Sequence, residues 1–397
     1  MGSQAQAVNL KGSPRLGTYL RKLRAGYGYS LRRVEERARA EGGELDNSQL
    51  SRYEKGICYP SFDKLRILAN VFNVSIQSFS DVVDLERFED LKPEVNDPVA
   101  VLETGKEAMK AGDNGLAFAH FERCLELILE APDSADRQEL IGRARINQAA
   151  ALKHLGKLAL AEHELRQAMR FSENLRPELR ARALLALASV HGSQGDNFLS
   201  EMEAERAYEI AKAEELNQLA AMSLHTLARV LADQGRFSQA IERYRESAKL
   251  YAASGEEFES IRVRTNIGTC YVALGKAREG IRMLRSSLLE ARTGGHRRLE
   301  AQSWSNLGEA YFNLRDHRQA RCCFRESDTL GIYNNEHQSD LLFFNAYYEW
   351  KMAIEESNPT REKIAFGRLK ALRSGLERRF PESESFDAFV ERGRNHA

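Results

Sequence analysis

Five turn positions, Gly156, Gly195, Gly235, Gly275 and Arg315, follow one another at spacings of 39, 40, 40 and 40 residues. A period of that length restricts the chain to repeat architectures before any other feature is read. Five residues beyond each marker sit Ala161, Ser200, Ala240, Gly280 and Ala320, all small. Nine residues beyond sit Leu165, Ala204, Tyr244, Leu284 and Phe324, mostly large and apolar. Gly112 heads an earlier, looser copy, with Ala117 and Phe121 at the same offsets. The pattern reads as a helical hairpin in tandem. Glycine ends the first helix because the turn needs a left-handed or open backbone. The small residue lets the second helix approach, and the large one plugs the joint. A single hairpin cannot bury its own apolar face, so neighbours must stack. No proline interrupts residues 178–358, which agrees with helix following helix. At Arg315 the turn must adopt another conformation or carry modest strain.

This pattern resembles the tetratricopeptide repeat in a version of about 40 residues per unit. The resemblance implies a right-handed helical solenoid over 98–337, with each first helix lining a concave surface. Residues 338–397 read as capping helices. Their aromatic stretch, Phe343, Phe344, Tyr347, Tyr348 and Trp350, suits dimerisation.

The 397 residues, 42% apolar and 29% charged, are too many for one small core and ordinary for a soluble chain. No apolar run reaches membrane-spanning length, and Met1–Lys11 lacks the apolar centre of a signal peptide. A cytoplasmic location is expected. Cys58, Cys124, Cys270, Cys322 and Cys323 show no metal-ligand spacing and read as reduced thiols that partly fill core space. Net charge is zero, but it is unevenly distributed. Residues 1–80 carry thirteen Lys and Arg against seven Asp and Glu, whereas 81–100 carry two against seven. A basic small domain followed by an acidic connector points to a polyanion partner for the first piece. The expected order is an N-terminal arm (1–14), a basic domain (15–83) and an acidic linker (84–97), followed by the repeats and the caps.

Residues 15–83 divide into five short helical pieces. Leu16, Leu20 and Leu23 face inward from the first; Ser30, Asp46, Ser61 and Ser75 cap the other four, and Gly56 stops the third. The pieces "LRKLRAGYGYSL" and "LSRYEKGICYPSFDKLRILANVFNV", in that order, resemble the helix-turn-helix domain of the phage-repressor type, the xenobiotic-response-element family. The stretch "RARAEGGELDN" between the second and third helices is longer than the plain family pattern, so the turn is wider. The resemblance implies a third helix in the major groove of double-stranded DNA, with Asn47, Ser48, Gln49 and Arg52 reading bases. Leu50 and Tyr53 would face the core. Arg24 and Glu54 occupy positions like the family's internal ion pair, and Arg24 also lies within reach of a phosphate. Ser30, Arg32, Lys55, Ser61 and Lys64 stand at helix starts or turns suited to phosphate contact.

Nine residues before the turn markers sit Asn147, Ala186, Thr226, Asn266 and Asn306. An Asn amide offers both donor and acceptor to an extended peptide backbone; bonding between neighbouring helices is the alternative use. Arg143, Arg182, Arg262 and Gln302 stand thirteen before the marker, and Arg229 six before it, which suits a ligand bearing carboxylates. A helix-turn-helix followed by long tetratricopeptide repeats resembles the peptide-pheromone-responsive (RRNPP-type) regulators. That resemblance implies a homodimer on a palindromic operator, controlled by a short peptide or partner protein in the repeat groove. A protein-interaction scaffold or signalling adaptor with no specific DNA site is the alternative. The sequence carries no HExxH, P-loop, GxSxG or clustered Cys/His pair, so no catalytic residue, metal or cofactor is expected.

Overall fold

The computed structural model describes residues 12–130, 134–169, 176–333, 336–337, 339–376 and 380–394. Most of the expected N-terminal arm, residues 1–11, lies outside the described residues. The chain divides into two compact units, Met1–Arg176 and Pro177–Ala397.

The first unit begins with five short helices: α1 (Pro14–Gly26), α2 (Leu31–Ala40), α3 (Asn47–Glu54), α4 (Phe62–Phe72) and α5 (Ile76–Asp84). Each starts where the sequence supplies a side-chain acceptor for an orphan backbone N–H. Ser13 accepts from the Leu16 N–H, Ser30 from Arg33, Asp46 from Gln49, Ser61 from Lys64 and Ser75 from Ser78. Leu16, Leu20, Leu23, Val34, Leu50, Leu68 and Phe72 form one core between them. Helices α1 and α3 touch backbone to backbone: a Cβ at Gly17 would lie 2.7 Å from the carbonyl oxygens of Tyr53 and Glu54.

A 3₁₀ segment, Leu85–Leu91, runs through the acidic stretch and buries Leu85. Four longer helices follow: α6 (Pro98–Lys110), α7 (Asn114–Glu130), α8 (Ala135–His154) and α9 (Leu158–Met169). Ala117, Phe121, Ala161 and Leu165, the small and plugging positions of the repeat, are all fully buried. Ion pairs join the short helices to the long ones. Arg15 of α1 meets Glu122 of α7 at 2.5 Å; Lys92 meets Glu122 at 3.0 Å and Glu126 at 2.8 Å. Lys157, at the turn before α9, meets Asp81 at 3.0 Å and Asp84 at 2.6 Å, both on α5.

The second unit contains α10 (Pro177–Gln194), α11 (Asn197–Ala213), α12 (Asn217–Asp233), α13 (Phe237–Ala253), α14 (Glu257–Ala273), α15 (Ala277–Thr293), α16 (Arg297–Asn313) and α17 (His317–Gly331). Two-residue strands β1 (Ile332–Tyr333) and β2 (Glu336–His337) pair antiparallel, the one departure from all-helical structure among the described residues. Helices α18 (Ser339–Glu355), α19 (Pro359–Arg373) and α20 (Pro381–Arg394) close the chain.

From α11 to α16 every helix has 17 residues. Gly195, Glu215, Gly235, Gly255, Gly275, Gly295 and Arg315 all have positive φ, one every twenty residues. The turns within hairpins and between hairpins are therefore alike. Each turn closes by the same double bond: the Gly235 N–H donates to the Ala232 carbonyl and the Arg236 N–H to Leu231, satisfying two carbonyls that the helix end leaves open. Arg315 keeps the left-handed geometry, φ 61°, and carries the strain of a Cβ there.

Ser200, Ala240, Ala320, Ala204, Leu284 and Phe324 are fully buried, and Tyr244 nearly so. The reason for small residues is direct at Gly280, where a Cβ would come 2.7 Å from the Gly268 carbonyl oxygen. At the end, Phe343 and Trp350 of the expected aromatic face are buried against Leu369 and Phe386, on α19 and α20. Phe344, Tyr347 and Tyr348 remain half-buried.

Candidate nucleic-acid and ligand surfaces

Helix α3 has only eight residues, and its two faces are chemically distinct. Leu50, Tyr53 and Glu54 turn inward; Ser48 and Arg52 are exposed, and Asn47 and Gln49 are half-buried. The Asp46 cap accepts the Gln49 N–H at 2.7 Å and holds the first turn. The Oδ1 of Asn47 is buried without a hydrogen-bond partner. Its amide oxygen is thus turned away from solvent. Helix α3 is fixed to α1 by a bidentate pair. Arg24 Nε donates to Glu54 Oε1 at 2.6 Å and Nη2 to Oε2 at 2.9 Å, while Nη1 donates to the Tyr29 carbonyl at 3.0 Å. The Glu54 carboxylate raises the Arg24 pKa, so the guanidinium stays charged.

The candidate phosphate-contact residues surround helix ends. Ser30 and Ser61 are exposed N-caps of α2 and α4, and Lys55 is the exposed C-cap of α3. Arg32 stands in solvent, 3.6 Å from Glu36, and Lys64 is half-buried.

On the repeat helices, each candidate arginine already faces a carboxylate of its own helix. In the first unit Arg143 meets Glu139 at 2.6 Å, and Asn147 is half-buried beside it on α8. In the second, Arg182 meets Glu178 at 3.0 Å, Arg229 meets Asp233 at 3.1 Å, and Arg262 pairs with Glu259. An incoming carboxylate would exchange with these partners rather than meet bare cations. Gln302 donates to Asn306 Oδ1 at 3.0 Å, one turn apart on α16.

Sequence reasoning passed over the group that joins these residues. His225 on α12 receives Arg262 Nη2 on Nδ1 at 3.2 Å, and its Nε2 lies 3.1 Å from the Asn266 amide. Burial, with Arg262 and Arg229 nearby, pushes its pKa down to about 3. The ring is neutral. Because a guanidinium only donates, Nδ1 is the bare nitrogen that accepts from Arg262, and Nε2 faces the amide nitrogen of Asn266. Asn266 thus bonds across to the neighbouring hairpin. Histidine occurs at no other copy of this register, so the repeat pattern carried no signal for it.

Further along, Tyr348 of α18 stands 3.2 Å from Glu309 Oε1 and 3.4 Å from Glu382 Oε1. Burial and the second carboxylate raise the Glu309 pKa to about 7. Among the described residues no cluster of His, Cys, Asp and Glu is placed to hold a metal ion, and no helix is long and apolar enough to cross a membrane.

Comparison with known proteins assigns the two modules. Residues 20–79 match the helix-turn-helix family, and 179–253 and 301–330 match tetratricopeptide repeats. The chain is a helix-turn-helix protein with a tetratricopeptide solenoid, the organisation its sequence implied. Among solved structures it is similar to a Rap protein complexed with competence and sporulation factor, at 15% identity and TM-score 0.55, covering 90% of this chain and 98% of that one. NprR in complex with its cognate peptide NprX gives 14%, TM-score 0.55, and coverage of 76% and 86%. The apo form of RapI gives 18%, TM-score 0.50, and coverage of 59% and 84%. At these identities the likeness concerns the fold. No curated protein matches the sequence.

Proposed function

We propose that the protein is a sequence-specific DNA-binding transcriptional regulator whose repeats sense a peptide or a partner protein. The observation that carries the reading is the helix-turn-helix match over 20–79, together with an α3 whose Ser48 and Arg52 face solvent while Arg24 and Glu54 fix its seat. Arg52 donates to guanine, and Asn47, Ser48 and Gln49 complete the base contacts. Ser30, Arg32, Lys55, Ser61 and Lys64 set the register on phosphates, and Arg24 shares that task through α1. A homodimer supplies the second half-site.

The sensing residues are Arg143 and Asn147 in the first unit, and Arg182, Arg229, Arg262, Asn266, Gln302 and Asn306 in the second. Rap, solved with competence and sporulation factor, and NprR, solved with its cognate peptide NprX, support a peptide as the ligand class. The protein works in the cytoplasm, without cofactor or catalysis.

Binding of the purified chain to its own promoter region, followed by fluorescence anisotropy across a salt series, tests the reading. Affinity should fall steeply with salt. Arg52→Ala and Asn47→Ala should each lose about 1–3 kcal/mol of preference for the specific sequence. Weak binding that is equal on random DNA and indifferent to both substitutions would instead favour a scaffold or signalling adaptor.

A further inference from the structure

We infer that the crevice between α15, α16 and α17 binds a small monocarboxylate carrying an aryl or short alkyl body. The crevice measures about 320 Å³. Its walls are Leu288, Leu289, Leu307, Trp304, Tyr311 and Cys323, with the amide of Gln319 beside them. It lies across α16 from the sensing residues: at about 100° per residue, Trp304 is some 200° around the helix from Gln302. The inference therefore stands apart from the peptide reading.

Two features give the crevice a chemical preference. The first is charge. Arg292 at its edge is neutralised by Glu300 at 2.7 Å. Arg285 hydrogen-bonds the Tyr311 hydroxyl at 2.5 Å and has no carboxylate partner among the described residues. One uncompensated guanidinium beside apolar walls calls for one anionic oxygen pair with an apolar remainder. The second is an orphan. Trp304 Nε1 is buried with no hydrogen-bond partner. A buried indole N–H is normally satisfied, and the ring that carries this one lines the crevice, so its resonance reports on an occupant. The Cys323 thiol, pushed up to about 12 by burial, stays protonated and serves as wall.

The joint one repeat earlier is the internal control. Arg245 donates to Tyr271 at 2.5 Å in the same way as Arg285 to Tyr311. There Arg264 takes the place of Trp304 and pairs with Glu290, and Met283 takes the place of Cys323 and packs beside Ile267 and Tyr271. The exchange of Arg for Trp removes a charge pair and creates the orphan donor. The exchange of Met for Cys opens the volume.

The two tryptophans, Trp304 and Trp350, make the test simple. Indole N–H resonances of the ¹⁵N-labelled full chain are assigned with Trp350→Phe, then followed during titration with phenylacetate and hexanoate. Phenylacetamide and hexanamide serve as neutral controls. The Trp304 resonance should shift and saturate with the acids, with at least tenfold weaker response to the amides. Arg285→Gln, on an exposed side chain, should weaken acid binding at least tenfold. Cys323→Met, which installs the residue of the preceding joint, should abolish it with helicity and melting temperature unchanged. A Trp304 resonance that ignores both acids, or that answers acid and amide alike, or binding indifferent to Arg285→Gln, would overturn the inference.

Discussion

Arg315 holds a left-handed backbone, φ 61°, at a turn where Gly235 and Gly275 hold φ 75° and 77°. A Cβ in that region costs about 1–2 kcal/mol, partly offset because glycine loses more freedom on folding. Arg315→Gly should therefore stabilise the second unit by up to about 1 kcal/mol, less what the Glu355 pair contributed, and Gly275→Ala should destabilise it by about 1 kcal/mol. Chemical denaturation of both variants checks the opposite signs. Glu309 gives a second residue-scale outcome. Its carboxyl is held near 7, above its ordinary 4.5. Stability from the protonated form is fully present below about pH 4.5 and is lost as pH rises through 7. Glu309→Gln should match the parent near pH 4.5 and exceed it at pH 8 by roughly 3 kcal/mol, read from melts across that range. Equal pH profiles for the two proteins would show that Glu309 titrates normally.

Helices are where the sequence was most legible. Caps at Ser30, Asp46, Ser61 and Ser75 announced four helix starts because a short polar side chain answers an N–H that has no other partner. The small and plugging positions were equally visible, since backbone approach at Gly280 tolerates no side chain. The shorter period was missed. Turns between hairpins use Glu215, Gly255 and Gly295, and a search keyed to the turns inside hairpins passes over them. The sites were less legible because they arise from exceptions: His225 and Trp304 each occupy a register where other copies carry something else. The Arg24–Glu54 strut was foreseen from the family pattern, and its geometry assigns it a cost. Glu54 is 6% exposed, so Glu54→Gln leaves Arg24 facing a neutral acceptor in a partly buried seat. A loss of about 2 kcal/mol is expected. Thermal unfolding of the variant measures it, and an unchanged midpoint would mean that the strut is dispensable.

The chain divides into two compact units. Calorimetry should resolve two transitions, and residues 12–176 expressed alone should retain a cooperative one; a single transition of the full chain, unchanged in shape by the Glu54→Gln substitution, would show that the two units unfold as one. Within the first unit the short helices answer to the long ones through Arg15, Lys92 and Lys157. The uniform turns of the second unit have a consequence for how such a chain grows. Because every turn from Gly195 to Arg315 closes in the same manner, an in-frame duplication of a single helix would meet no obstacle at either junction. It would, however, exchange inner and outer helices for everything downstream, setting Trp304 where Gln302 should look out and dissolving the crevice. The forty-residue recurrence of the small positions, where Gly280 tolerates no side chain against Gly268, is what holds the helices in pairs.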